Sequence, residues 1–334
     1  MRPSDPPAPT PVPTEVPEAT WLARQAAHER RVDAWVAPHR GRRKDQRRHP
    51  VEDFLFTYYS HRPARLRRWH PGAGVVLAGE AARRTFLHGR DYVEVAGGVM
   101  IDPAVLAGRA DAIRWIRDLL TATRGRPASF GCFGLHEWAM VYRLPQERVR
   151  HAGWPLRLGA EGTDRVVESQ RIRCSHFDAY RFFTEPASPL NTLRPTRETQ
   201  LDLEQPGCLH ANMDLYKWAY KLAPHVPSEL VADCFELARE IRTLDMRASP
   251  YDLRALGHEP VPIETPEGRA EYAGAQRDFS VRAQALRDRL IDACDGLLSL
   301  IDPLARARSD RPGPQARSDC SDCSDCSTPA RTRP

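Results

Sequence analysis

The chain has 334 residues, of which 41% are hydrophobic and 28% charged, and carries a net charge of +5. That apolar content supports a sizeable core, and no apolar run nears the roughly 18 residues that cross a bilayer. The basic residues are nearly all arginine, with lysine only at Lys44, Lys217 and Lys221, and so small an excess of charge does not mark a nucleic-acid binder by itself.

Residues 1–17 are rich in proline and poor in apolar side chains, which predicts disorder and no secretory signal, hence a cytoplasmic protein. Cys132, Cys174, Cys208, Cys234 and Cys294 are scattered through a long chain and read as reduced thiols. A helix is expected from Glu18 past Trp35, then a basic linker over His39–His49 (HRGRRKDQRRH). Pro50 opens a helix through Val51–Tyr59, with Glu52 and Asp53 at its positive end. Val75–Ala78 and Tyr92–Val95 suggest a small hairpin or a pair of strands. Asp102 precedes a helix reaching about Ala122.

Between 130 and 200 the pattern predicts a helix near 134–143, a strand near 165–174 and a short helix near 176–183. Three longer helices follow. Gly207–Ala223 ends before Pro224, Ser228 caps Glu229–Met246, and Pro266 starts a span to Ile301 with a break near Asp278–Ser280. The acid–base pattern on the last two reads as solvated faces. Residues 305–334 read as a disordered tail, whose SDCSDCSDC run (Cys320, Cys323, Cys326) lacks histidine support for a metal site. The expected fold is mainly α (α+β with a small β-hairpin or short sheet): a single large helical domain over 18–304 with disordered termini.

Chemistry-bearing residues concentrate in three segments that each run Cys, His, acid. These are GCFGLHEWAMVYR with Cys132, His136 and Glu137; CSHFDAYRFF with Cys174, His176 and Asp178; and CLHANMDLYKWAYKL with Cys208, His210 and Asp214. On a helical wheel His210, Asp214, Lys217 and Lys221 form one stripe, either an exposed charged face or one pointed into a cavity. Two sites follow. In one, a carboxylate (Glu137, Asp214 or Asp178) works inside an aromatic pocket, where it deprotonates water or stabilises an oxocarbenium ion. His136, Trp138, His176, His210, Tyr216, Lys217 and Trp218 then shape the substrate site. In the other, His136, His176 and His210 hold zinc or iron. The first needs no cofactor. HExxH, GxGxxG and GxxxxGK[ST] are all absent from the sequence. Arg42, Arg43, Arg47 and Arg48, followed by Arg65 and Arg68, are the candidates for phosphate contacts, which would equally serve a non-catalytic nucleic-acid-binding protein.

HPVEDFLFTYYSHRPARLRRWHPG, EQPGCLHANMDLYKWAYKLAP and DMRASPYDL, together with two of the segments above, resemble an actinobacterial family often called 3-methyladenine DNA glycosylase. The resemblance spans about His49 to Leu300. It implies hydrolysis of the N-glycosidic bond of alkylated purines flipped out of double-stranded DNA, an enzyme of DNA repair with no membrane association.

Overall fold

The computed structural model describes residues 13–309, with side chains to Ile301; the sequence readings on residues 1–12 and on the SDCSDCSDC run lie outside that range. Among the described residues the fold is mainly helical, with one small sheet.

β1 (Thr14–Val16), in the stretch read as disordered, is ordered by pairing with Val75–Leu77 and leads into α1 (Glu18–Lys44). The expected linker over His39–His49 is therefore largely the last turns of α1. Asp53 holds those turns, accepting from His39 Nδ1 at 2.8 Å and from Arg42 Nη2 at 2.6 Å, and Arg42, Arg43 and Lys44 suit the negative helix end. After α2 (Phe54–Tyr58) and α3 (Pro63–Arg67) come β2 (Val75–Leu77), α4 (Glu80–Phe86), β3 (Tyr92–Val95) and β4 (Gly98–Ile101). The sheet runs β1-β2-β4-β3, with β1 parallel to β2 and the other pairs antiparallel. The two strands foreseen are present but do not pair with each other. β3 forms its hairpin with β4, whose Gly-Val-Met-Ile is buried at every position and so carries no alternation. Trp21, Trp69, Leu77, Phe86 and Val99 make a local core against this sheet.

The helix expected from Asp102 is two helices, α5 (Pro103–Ala107) and α6 (Ala110–Arg124), separated at Gly108. α7 (Leu135–Ala139) is shorter than foreseen. The first half of the strand expected at 165–174 is instead helix, and the second half is irregular apart from a bridge from Ile172 to Asn191. α8 (Gly159–Ser169) buries Gly162, Thr163, Val166 and Val167, a helical i, i+1, i+4, i+5 face that its β-branched residues disguised. α9 (Phe177–Tyr180) and α10 (Gln200–Leu203) are single turns.

α11 (Leu209–Leu222), α12 (Ser228–Arg247) and α13 (Pro266–Ser309) pack with α6 into the main core. α13 runs unbroken through Asp278–Ser280 and past residue 304, the boundary read from the sequence. Its Arg287, like Arg242 and Asp245 of α12, is at most 1% exposed, so these faces are not wholly solvated. α11 is buried almost all round, which settles the reading of its polar stripe: His210 and Asp214 lie inside the protein.

Candidate metal centre

Four elements deliver the polar centre. Gly134, at φ 70°, turns the chain into α7 in a left-handed conformation that L side chains rarely adopt. It brings His136, Glu137 and Trp138 inward, all buried. His176 sits at the start of α9, His210 and Asp214 lie one turn apart on α11, and Arg242 and Asp245 come from α12.

The His136 and His210 rings meet edge to face, with centroids 4.3 Å apart. One donor atom from each of His136, His210 and Asp245 lies within 4.8 Å of the other two, and all three residues are buried. His136 Nε2 is 3.0 Å from Asp245 Oδ1, yet the two are not aligned as a hydrogen bond and neither has another partner. Asp245 Oδ2 is occupied: it accepts from Arg242 Nη1 at 3.2 Å, and that nitrogen also donates to Glu137 Oε1 at 2.7 Å. The guanidinium lies 3.8 Å from the centroid of the Phe54 ring. On the far side of the His136 ring, Cys132 Sγ is 3.9 Å from Nδ1.

Burial works against a charge on His136, but the carboxylate of Asp245 overrides it and holds the imidazole well above its ordinary value. Burial and the neighbouring His136 push His210 the other way, leaving a neutral ring. Glu137 is driven upward by burial, yet the Arg242 charge holds it down at about 2.

Beside this trio lies a second cluster. His176 Nε2 is 3.3 Å from Asp214 Oδ2 and 3.4 Å from Glu204 Oε1, and its ring is 5.5 Å from that of His210. Tyr59 donates its hydroxyl to Asp214 Oδ1 at 2.8 Å, and Lys217 Nζ bridges Asp214 Oδ2 at 2.9 Å and Asp178 Oδ2 at 2.7 Å. Burial raises Glu204, whereas Lys217 and His176 overcome burial and lower Asp214. Two buried carboxyls on one imidazole are thus pushed apart, the arrangement that separates an acid from a base.

Two small hollows adjoin the trio. One, about 10 Å³, is lined in part by Cys132, Cys174 and Cys208 with His136 and His210. The other, also about 10 Å³, has Glu137, Asp178 and His210 beside Phe54, Tyr58 and Phe182. All three Cys-His-acid segments therefore reach the same region, and rings do line it. Each hollow admits an ion or a single water; neither approaches the roughly 300 Å³ of a small-molecule pocket.

The remaining sequence candidates are dispersed. Trp138 donates Nε1 to Ala248 O at 2.9 Å and is a wall of the core. Tyr216 turns away from the carboxylates, its hydroxyl 3.0 Å from His61 Nδ1. Trp218 packs against Trp115, with Lys217 Nζ 4.6 Å from its ring centroid. Of the arginines, Arg42 is committed to Asp53, and Arg47 is exposed with Asp45 at 3.5 Å. Arg48 is exposed, Arg43 lines a cavity of about 450 Å³, and Arg65 and Arg68 line a larger one of about 550 Å³.

Asp245, Arg242 and Glu204 were not singled out in the sequence. For Asp245 the signal was present: Cys234, Ala238, Ile241, Asp245 and Ala248 repeat at 4-3-4-3 spacing and are all 0% exposed, so a carboxylate occupies a core position. No protein-family model, curated protein or solved structure matches this chain.

Proposed function

We propose that the chain is a metal-dependent enzyme whose ion is held by His136, His210 and Asp245. One observation carries this reading: two buried donor atoms, Nε2 of His136 and Oδ1 of Asp245, stand 3.0 Å apart without a hydrogen bond. Ligand atoms that share an ion at about 2.0–2.2 Å from it lie about 3 Å apart in this way. Two imidazoles and a carboxylate suit zinc or ferrous iron and leave further positions open for substrate or water. The surroundings agree: Arg242 fixes the other oxygen of Asp245, and Cys132 lies at the other nitrogen of His136, the roles that outer partners of metal ligands fill. A bound ion would supply Lewis acidity. His176, set between Glu204 and Asp214, is placed to hold or move a proton beside it. The substrate class on this reading is a small molecule, which requires a hollow of about 10 Å³ beside the trio to open.

The test is elemental analysis of the full chain carrying Cys320→Ser, Cys323→Ser and Cys326→Ser, so that tail thiols contribute nothing. Close to one equivalent of zinc or iron is expected, falling below about a tenth in Asp245→Asn and His210→Ala. Protein that is metal-free and takes up neither added zinc nor added iron defeats the reading.

A second reading, a DNA glycosylase for alkylated purines such as 3-methyladenine, rests on the family resemblance and on Glu137 and Asp178 lining an aromatic hollow with Phe54, Tyr58 and Phe182. It requires the hollow of about 10 Å³ to open to the size of a base. Release of free 3-methyladenine from methylated duplex DNA, above a buffer control, would establish it, and no release would remove it.

A further inference from the structure

The cavity of about 550 Å³ lies away from the metal trio, between α3, the end of α11 and the start of α6. Its volume falls in the range of small-ligand sites. Four cations line it, Arg65, Arg68, Arg109 and Lys221, against one carboxylate, Asp91. None of the four is ion-paired among the described residues, although pairing is the habit of this surface: Arg67, lying between Arg65 and Arg68, turns the other way to Glu29 and Asp33. Positive charge therefore accumulates here, offset in part by Asp91, which acts on Arg109.

Other groups of the lining point the same way. Leu66 and Val231 give the cavity a buried apolar floor. His225, 3% exposed, leaves its Nδ1 without a partner, and His61 stacks on Tyr220 at 4.8 Å with 6° between the rings. Burial, reinforced by Arg65 for His61 and by Arg109 for His225, lowers both imidazoles to about 4. At neutral pH they are uncharged and can donate or accept a hydrogen bond.

We propose that this cavity binds a small organic phosphate of nucleotide size, its phosphates among Arg65, Arg68, Arg109 and Lys221 and its organic body over the apolar floor. The inference does not rest on the metal centre, because none of His136, His210 and Asp245 lines this cavity.

The test is calorimetric titration of the full-length protein with ADP in excess EDTA, so that metal-free protein is read. One saturable site is expected, with inorganic pyrophosphate and adenosine each binding at least tenfold more weakly. Arg65→Gln/Arg68→Gln, two exposed positions, is expected to weaken ADP at least tenfold without lowering Tm. Arg47→Gln, outside the cavity, leaves it unchanged. No saturable ADP binding, pyrophosphate as tight as ADP, or an equal loss in Arg47→Gln overturns the proposal. So does a single-stranded twelve-nucleotide DNA that displaces ADP and binds tenfold tighter at the same salt, since the occupant would then be a polynucleotide.

Discussion

Replacing Arg242 with methionine removes a charge that serves two buried carboxylates. Arg242 is 1% exposed, Glu137 5% and Asp245 0%. One nitrogen of the guanidinium serves both carboxylates, at 2.7 and 3.2 Å. Methionine restores most of the volume beside Phe54, so little of the effect is a cavity. The cost comes from two carboxylates left in a medium that cannot solvate them. Removing one partner of a buried ion pair costs about 3–5 kcal/mol, against about 0–1 kcal/mol for an exposed pair. At about 2 °C per kcal/mol for a chain of this size, Arg242→Met should lower Tm by roughly 6–10 °C.

Glu137 has no other cation in contact among its described partners, so Glu137→Gln introduced into Arg242→Met should restore part of the loss. A coupling of about 1–3 kcal/mol is expected from the double-mutant cycle. Urea denaturation followed by circular dichroism at pH 7 measures all four corners of the cycle. The sign with pH follows from the carboxyl held at about 2. The contribution of Glu137 is complete above its unfolded value near 4.5 and disappears as pH falls towards 2. A loss below about 1 kcal/mol in Arg242→Met, or a cycle with no coupling, would refute the reasoning, because the pair would then behave as a solvated one.

Gly98→Ala places a Cβ 2.0 Å from Leu77 O on the adjoining strand; a loss of about 3 kcal/mol is expected by urea melt, and a neutral result would mean the sheet does not pair as described. Tyr59→Phe deletes the hydroxyl donated to buried Asp214 and should cost about 1.5–3 kcal/mol, measured in the same way. Burial holds His61, His151 and His225 at about 4. The unfolded chain therefore binds more protons below its histidine value of 6.5, and stability should fall from pH 6.5 towards 4.5. Each such imidazole adds up to about 1.4 kcal/mol per pH unit, and a flat urea midpoint over that window would contradict their burial. Glu137→Leu/Arg242→Met/Asp245→Leu, which removes the whole ion cluster, should be neutral or stabilising by about 1–4 kcal/mol while abolishing metal uptake. Loss of stability together with retained metal would exclude Asp245 as a ligand.

The mainly helical fold with one small sheet was legible in the sequence. Three segments running Cys, His, acid pointed to one centre, and the fold brings all three there. His136 and His210 meet, but His176 turns to Glu204 and Asp214, and Asp245 stands where a third imidazole was expected. Asp245 was hidden because a carboxylate on an amphipathic helix is ordinarily solvated, and only its place in a 4-3-4-3 stripe of buried residues betrays it. The α8 misreading has a similar cause: a Val pair favours a strand by propensity, while the spacing of the buried residues is helical. Arg42 was read as a free phosphate contact because Asp53, eleven residues away, becomes its partner only once α1 has run on to Lys44. The basic cleft was half visible in Arg65 and Arg68. Arg109 and Lys221, from distant elements, complete it.

α11 links the buried polar centre to the basic cavity. His210 and Asp214 reach the centre, while Tyr220 and Lys221, further along the same helix, line the cavity. Between them Tyr216 contacts both His61 of the cavity and the ring of Tyr59, which bonds Asp214. A core required only for stability gains little from such groups, since apolar side chains of similar volume hold a fold as well as a buried ion cluster or better. Arg242, Glu137, Asp245, Asp214 and Lys217 together impose a large desolvation cost on this core. Their partners offset it, and the arrangement still leaves Nε2 of His136 and Oδ1 of Asp245 without hydrogen bonds. His176 and Nε of Arg242 also lack hydrogen bonds, but only His136 and Asp245 converge with His210 as three donors around one point.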